Sequence, residues 1–153
     1  MLDIFEEMQS ILRAFEVAGV GYALCGGLAM TAYGLQRATI DVDLLVLAED
    51  MQRALAIADE LGYDAPASPM RFRDVIIERR TKLDPEHGDF IPLDLIQVTP
   101  SLQSVWSQRV RMSWGGDEAW ILTRDALIAM KRLRGSKQDQ ADIEFLENPD
   151  DAS

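Results

Sequence analysis

The sequence predicts an α+β protein with a mixed, mostly antiparallel sheet, helices packed on one side of it and a helical C-terminal tail. Short apolar runs near positions 22, 42, 72, 91 and 109 are typical of strands that bury their side chains. Apolar residues recur at helical spacing before, between and after these runs. No repeat or low-complexity tract is present, so we expect one domain over residues 1–147 and a frayed end over 148–153.

The first half of the chain is predicted to alternate between helix and strand. Apolar residues at helical spacing near the start predict a helix that Gly19 ends. A short strand at 22–25 leads into a glycine pair, and a compact helix follows at 28–33. A buried strand at 42–47 precedes a helix at about 49–61, whose apolar positions recur at helical spacing.

The second half is predicted to contain strands first and helices last. A polar turn that includes Pro85 and Gly88 separates two apolar runs, and Gly115-Gly116 separates two shorter ones. Strands are expected at 71–81, 90–98, 109–114 and 119–122, and helices at 100–106, 123–134 and 136–146.

Charge and cysteine content exclude some classes of function. The formal net charge is −11, which disfavours tight non-specific binding to nucleic acid because that binding depends on neutralising phosphates. A nucleic-acid substrate stays open, since basic residues cluster at 71–82 and 131–137. Cys25 is the only cysteine, and no apolar stretch approaches the ~18 residues of a membrane span. We therefore expect a cytoplasmic protein without disulfides or membrane contact.

Three aspartates interrupt strands that otherwise carry aliphatic residues. Asp41 and Asp43 are two residues apart, so their side chains lie on one face of a strand, about 7 Å apart along the chain. Two neighbouring carboxylates repel each other, and Mg²⁺ is the usual compensation. If the strand that carries Asp94 is a neighbour, three carboxylates converge on one or two metal ions, as in sites for displacement at phosphorus. The third carboxylate can also accept the proton of an attacking hydroxyl.

The glycine pair Gly26-Gly27 lies between a predicted strand and a predicted helix. Glycine lets a backbone approach a phosphate closely, and the first amides of a helix donate to anions. A Gly-Gly pair also forms ordinary turns, so this feature depends on the carboxylates for its interpretation.

Together these residues form a familiar pattern. Gly26-Gly27, a spacer, Asp41-Val42-Asp43 and a later strand aspartate resemble the DNA polymerase beta-type nucleotidyltransferase superfamily. The similarity is to its small bacterial branch, which includes aminoglycoside nucleotidyltransferases and abortive-infection toxin nucleotidyltransferases. Residues 130–143 resemble the helical tail of that branch, so the resemblance covers about residues 20–146. It implies the nucleotidyltransferase fold.

The resemblance also implies roles for individual residues. Asp41 and Asp43 would hold Mg²⁺, Asp94 would be the third acid, and Gly26 and Gly27 would contact the triphosphate. Two Mg²⁺ ions are expected. Many members of the superfamily have Gly-Ser at the glycine pair, and this chain lacks that serine hydroxyl, so backbone amides and cations must contribute more here.

Further residues are predicted to border the nucleotide. Arg37 and Thr39 directly precede the acidic strand, and Lys131 and Lys137 are the candidate cations for the triphosphate, although either lysine could be a solvent-exposed helix residue. Two other residues of the tail have structural interpretations. The spacing of Ser136 and Asp139 matches a capping box, and Asp142 is expected to pair at the surface with Lys137 or an arginine.

The predicted reaction is transfer of a nucleoside monophosphate from an NTP to an acceptor hydroxyl or phosphate, with release of pyrophosphate. The acceptor stays open between a tRNA end, a protein side chain and a small molecule such as an antibiotic. A toxin–antitoxin or abortive-infection role, with a protein partner from a neighbouring gene, is compatible with the resemblance. The alternatives are a non-enzymatic, antitoxin-like partner protein with the same fold and a nucleotide-binding sensor.

Overall fold

The sheet of the protein contains eight strands within residues 1–36 and 38–148, which are the residues that the computed structural model describes. The strands are Ala23–Cys25 (β1), Val42–Leu47 (β2), Tyr63–Pro66 (β3), Met70–Phe72 (β4), Val75–Asp84 (β5), Asp89–Val98 (β6), Arg109–Trp114 (β7) and Asp117–Leu122 (β8). Their order is β3-β5-β6-β2-β1-β8-β7, and β4 pairs with the first residues of β5, while β3 pairs with later residues of the same strand. Only β1–β8 and β2–β6 are parallel pairs in this described sheet, which confirms the mixed, mostly antiparallel prediction.

The helices lie before, between and after these strands. They are Ile4–Ala18 (α1), Gly26–Ala32 (α2), Met51–Glu60 (α3), Gln103–Trp106 (α4), Arg124–Arg134 (α5) and Lys137–Glu147 (α6). The side chain of Asp3 accepts from the amide of Glu6 at the start of α1, and Gly19 ends that helix with φ 70°. None of the helices in the described ranges has the length and apolar character needed to cross a bilayer.

The core lies on the face of β2 and β6 that points away from the aspartates. Leu44, Leu93 and Leu95 are fully buried there, because alternate residues of a strand point to opposite faces. Ile11 and Phe15 of α1 are also fully buried. Each such side chain contributes about 1.5–3 kcal/mol on transfer from water, so the core fixes the positions of β2 and β6.

The register of the central strands brings distant residues together. Asp43 of β2 lies directly opposite Asp94 of β6, and its other neighbour is Cys25 of β1. Arg79 of β5 lies opposite Asp94 on the remaining side. Directly opposite residues share a face, so these four side chains form one row across four strands.

Two element predictions were wrong in detail. The single strand expected at 71–81 is two strands, β4 and β5, joined by a turn at Arg73, whose φ is 56°. Arginine seldom adopts a positive φ. The turn also contains no glycine or proline, so nothing in the sequence marks it. Strand β3 was not expected, because it is only four residues long and contains Asp64 and Pro66, residue types that are depleted in strands.

Candidate active site

Asp41, Asp43 and Asp94 converge at one place in the structure. Each offers a carboxylate oxygen, and these three oxygens all lie within 4.8 Å of one another. The parallel pairing of β2 and β6 places Asp43 beside Asp94, and Asp41 precedes β2 by one residue on the same side as Asp43. The convergence expected from the sequence is therefore observed, while the catalytic role of these residues stays a prediction.

The electrostatics of this cluster disfavour three ionised carboxylates. Burial raises the pKa of Asp43 well above its usual value, and the charges of Asp41 and Asp94 raise it further. Burial also raises the pKa of Asp41, with Asp94 as the next cause. A cation at this position would remove the repulsion and favour the ionised forms.

The chemistry of the donor set fits Mg²⁺. Three carboxylates supply only oxygen ligands, which hard divalent cations prefer. The neighbouring thiol of Cys25 is not part of this set. Its Sγ donates to the carbonyl of Asp43 at 3.5 Å, and burial raises the pKa of the thiol well above its usual range, so the thiol stays protonated.

The glycine pair packs directly against the acids. Gly26 begins α2 with φ 67°, and a Cβ at this position would collide with the carboxylate of Asp43. A Cβ on Gly27 would lie 2.9 Å from Oγ1 of Thr39, which is tighter than side chains normally tolerate. Both glycines are therefore required by space, and Gly26 also by its backbone conformation.

Arg79 is a member of the site that the sequence did not single out. Its guanidinium donates from Nε to Oδ1 of Asp94 at 2.7 Å and from Nη2 to Oδ2 at 2.9 Å. Such a two-point contact fixes the orientation of the carboxylate. The only signal in the sequence was the basic cluster at 71–82, which did not distinguish Arg79 from its neighbours.

Two cations of α5 face the site and are held by acids of α6. Lys131, only 6% exposed, pairs with Asp142 at 2.8 Å and lies 3.8 Å from Asp139. Arg134 donates to both oxygens of Asp139 at 2.6 and 2.8 Å. Burial alone would raise the pKa of Asp139, but the hydrogen bonds from Arg134 and Ser136 outweigh it and hold that pKa below its usual value.

These contacts confirm one structural expectation for the tail and correct another. The capping box is present, because Ser136 accepts from the amide of Asp139 and Asp139 accepts from the amide of Ser136. The expectation of a surface pair for Asp142 was wrong, since this residue is buried and bonds Lys131. Gly135 caps the end of α5, and the turn there folds α6 back against α5.

Two of the other predicted site residues do not line the cleft that contains the acids. Lys137, the first residue of α6, is exposed and does not line the cleft described below. Thr39 does not line it either, and its buried Oγ1 has no hydrogen-bond partner within the described part of the chain. Arg37 lies outside the described residues, as do residues 149–153 of the tail predicted to be frayed. The roles proposed for these residues stay predictions.

A cleft of about 330 Å³ contains the three acids. The sheet forms one wall, and α5 contributes to the opposite wall. Along the sheet the lining changes from a charged end, with Asp41, Asp43, Arg79 and Asp94, to an apolar end, with Met70, Phe72, Val75, Ile77 and Ile96. The other side chains that line the cleft, apart from Cys25 and the glycines, are Leu127, Met130, Lys131 and Arg134 of α5 and Asp139 of α6.

Solved structures share this architecture at low sequence identity. LnuA, a lincosamide antibiotic adenylyltransferase solved with lincomycin bound, matches with a TM-score of 0.63 over 93% of this chain and 95% of its own, at 16% identity. The antibiotic-resistance factor ANT(2'')-Ia matches with a TM-score of 0.62 over 95% of this chain and 84% of its own, at 13% identity. TM1012 from Thermotoga maritima matches with 0.62 over 95% and 93%, at 11% identity.

These matches define the class of protein at the level of the fold. The chain has the nucleotidyltransferase fold, as its glycine pair and aspartates predicted. No protein-family model matches the sequence, and no curated protein matches it. Because one fold hosts many activities, the reaction has to be argued from the side chains of the site.

Proposed function

We propose that this protein is a Mg²⁺-dependent nucleotidyltransferase that moves a nucleoside monophosphate from an NTP to an acceptor hydroxyl or phosphate. The observation that carries this proposal is the cluster of Asp41, Asp43 and Asp94 on two adjacent strands, with oxygens within 4.8 Å of one another. Carboxylates in this number and spacing suit one or two metal ions at a phosphoryl centre. The fold shared with LnuA supports the same reaction class.

Each part of the site has a task in this reaction. The three aspartates would hold Mg²⁺, which when bound neutralises charge on the phosphate oxygens. Gly26 lets the backbone at the start of α2 approach the triphosphate. Lys131 and Arg134 face the cleft with their orientations fixed by α6, so they are the candidate cations for the triphosphate.

The bond changes balance without a further reactant. The acceptor oxygen forms a bond to the α-phosphorus, and the bond from that phosphorus to the oxygen bridging to the β-phosphate breaks. Pyrophosphate leaves, and the proton of an acceptor hydroxyl passes to a carboxylate. Asp94 is the candidate for this proton because Arg79 holds it in one orientation while each of its oxygens keeps a lone pair.

The finer predictions rest on narrower support. The structure of ANT(2'')-Ia with adenylyl-2''-tobramycin and that of LnuA with lincomycin support a small-molecule acceptor and ATP as the first donor to test. A toxin–antitoxin or abortive-infection role, a tRNA or protein acceptor, a partner from a neighbouring gene and a cytoplasmic location rest on the sequence alone. The non-enzymatic alternatives would require the acids to be dispensable.

Label transfer tests the proposal. The protein is incubated with each α-³²P-labelled NTP, Mg²⁺ and pooled RNA, protein and small molecules, and labelled products and pyrophosphate are measured. We expect transfer in one pool, and a loss of at least about 100-fold in Asp43→Asn, because even outer contacts of metal sites cost 10–100-fold. Asp64→Asn, at an exposed position of β3, is the matched control and should transfer normally. Undiminished transfer in Asp43→Asn would refute the assigned site.

A further inference from the structure

The apolar end of the cleft is continuous with the row of side chains that contains Asp94 and Arg79. Ile77 precedes Arg79 by two residues and Ile96 follows Asp94 by two, so both side chains lie on the face that carries the acids. Met70 of β4 lies opposite Ile77 on the same face. A molecule bound along this face therefore reaches the three aspartates directly.

This end presents apolar surface that the fold itself does not cover. Phe72 is 49% exposed and Met70 is 37% exposed, although both line a cleft. Leu127 and Met130 of α5 also line the cleft. Concave apolar surface of this kind, beside a few fixed polar groups, is typical of small-molecule sites.

Charge alone does not select the occupant of the cleft. Its cations Arg79, Lys131 and Arg134 are paired with Asp94, Asp142 and Asp139. Asp41 and Asp43 line the same cleft, so its charged groups carry no net positive charge. Among the described residues that line the apolar end, none has a hydrogen-bonding side chain that could recognise the edge of a nucleobase.

We infer that the apolar end binds the acceptor, and that the acceptor is a small molecule with an apolar body and a hydroxyl group. This inference rests on the proposed nucleotidyl transfer and specifies its acceptor. The apolar body lies between the sheet and α5, and its hydroxyl reaches the acids. The hydroxyl oxygen bonds to the α-phosphorus, its proton passes to a carboxylate, and pyrophosphate leaves.

Binding of 2-naphthol, a fluorescent apolar alcohol, tests this inference. We expect saturable binding to the wild-type protein and about tenfold weaker binding to Phe72→Ala, because that ring supplies apolar contact area. Phe90→Ala is the control: this ring is also on a strand and 56% exposed, but it does not line the cleft. Absence of binding, or equal weakening in both variants, would overturn the inference.

A second measurement distinguishes acceptor from nucleobase. Naphthol binding is repeated with Mg²⁺ and α,β-methylene ATP, an analogue that cannot transfer its nucleotide. If the apolar end receives the acceptor, both molecules bind together. If the analogue displaces naphthol competitively, the base occupies this end and the inference is wrong. Label transfer from ATP to tobramycin in preference to a panel of apolar alcohols would also overturn it.

Failure of the inference can be told apart from failure of the proposed function. Asp43→Asn should lose Mg²⁺-dependent binding of the analogue and keep the binding of naphthol, because Phe72 and Asp43 lie at opposite ends of the cleft. If the analogue does not bind the wild-type protein while naphthol does, the transfer reaction is refuted and the apolar site stands. If the analogue binds and naphthol does not, the acceptor class alone is refuted.

Discussion

At the scale of single residues, the site is built from side chains that would be unfavourable elsewhere. Asp43 is buried beside two like charges, and both the burial and these charges raise its pKa. Gly26 has a positive φ and leaves space for that same carboxylate. A buried carboxylate beside two like charges lowers stability in a protein that does not bind a ligand there, so the presence of Asp43 supports a functional role.

Substitution of Gly26 tests how closely backbone and carboxylate depend on each other. Gly26→Ala should lower the free energy of unfolding by more than about 1–2 kcal/mol, because the strain of a positive φ is joined by a collision with Asp43. Gly88→Ala carries the matching backbone strain, with φ 69° and no atom within 4 Å of the new Cβ. Urea denaturation of both variants gives the comparison. Equal losses would show that the contact with Asp43 is unimportant.

Residue patterns predicted some members of the site and missed others. Asp41, Asp43 and the glycine pair are close in sequence, and their types alone point to metal and phosphate. Arg79 was missed because its role depends on lying opposite Asp94, which only the register of β5 and β6 determines. Arg134 was missed for a related reason, since its partner Asp139 is reached only after the chain reverses at Gly135.

At the scale of elements, α5 and α6 act as a pair. Acids of α6 hold the cations of α5, and the capping box fixes the start of α6 in the same place. The helices themselves were predictable from apolar spacing and end signals. Their mutual orientation was not, because Asp142 has the sequence context of an exposed helix residue and yet is buried.

The pH dependence of stability should report on this helix pair. The pKa of Asp139 is lowered on folding, so its stabilising contribution is fully present above its unfolded value near pH 4 and is lost as the pH falls through the lowered value. Asp139→Asn should therefore cost about 2–3 kcal/mol at pH 7, with a smaller difference from wild type below about pH 4.

Urea denaturation between pH 7 and pH 3.5 measures this effect. Glu144→Gln, an exposed change on the same helix, is the control and should shift stability by less than about 0.5 kcal/mol throughout. A difference between Asp139→Asn and wild type that does not change with pH would mean that the charge of Asp139 contributes nothing beyond its hydrogen bonds.

At the scale of the whole molecule, the site joins parts of the chain that are far apart in sequence. It draws on β1, β2, β5 and β6 for the row of side chains, and on α5 for two cations. The net charge of −11 adds a general repulsion to the local one at the acids. Binding of a divalent cation should therefore stabilise the entire fold.

Thermal unfolding should show this coupling between metal and fold. Mg²⁺ at ten times its dissociation constant should add about 1.4 kcal/mol, or a rise of about 3–6 °C in Tm, and EDTA should remove it. At a fixed Mg²⁺ concentration the increment should grow as the pH rises, because Asp41 and Asp43 have raised pKa values and must lose protons to bind the ion.

Two controls separate specific binding from screening. NaCl at equal ionic strength accounts for the effect of salt on the net charge. Asp43→Asn should lose the Mg²⁺ increment while unfolding cooperatively, and without Mg²⁺ it should be at least as stable as wild type. An equal increment in the variant would place the ion elsewhere.

The parallel register of β2 and β6 also bears on how this chain can diverge. One residue inserted between Asp89 and Asp94 would turn the carboxylate of Asp94 to the opposite face, because side chains alternate along a strand. The turn at 85–88 lies at the far end of the hairpin and carries no such constraint. Descendants of this sequence should therefore vary in length at that turn and conserve the spacing between the turn and Asp94.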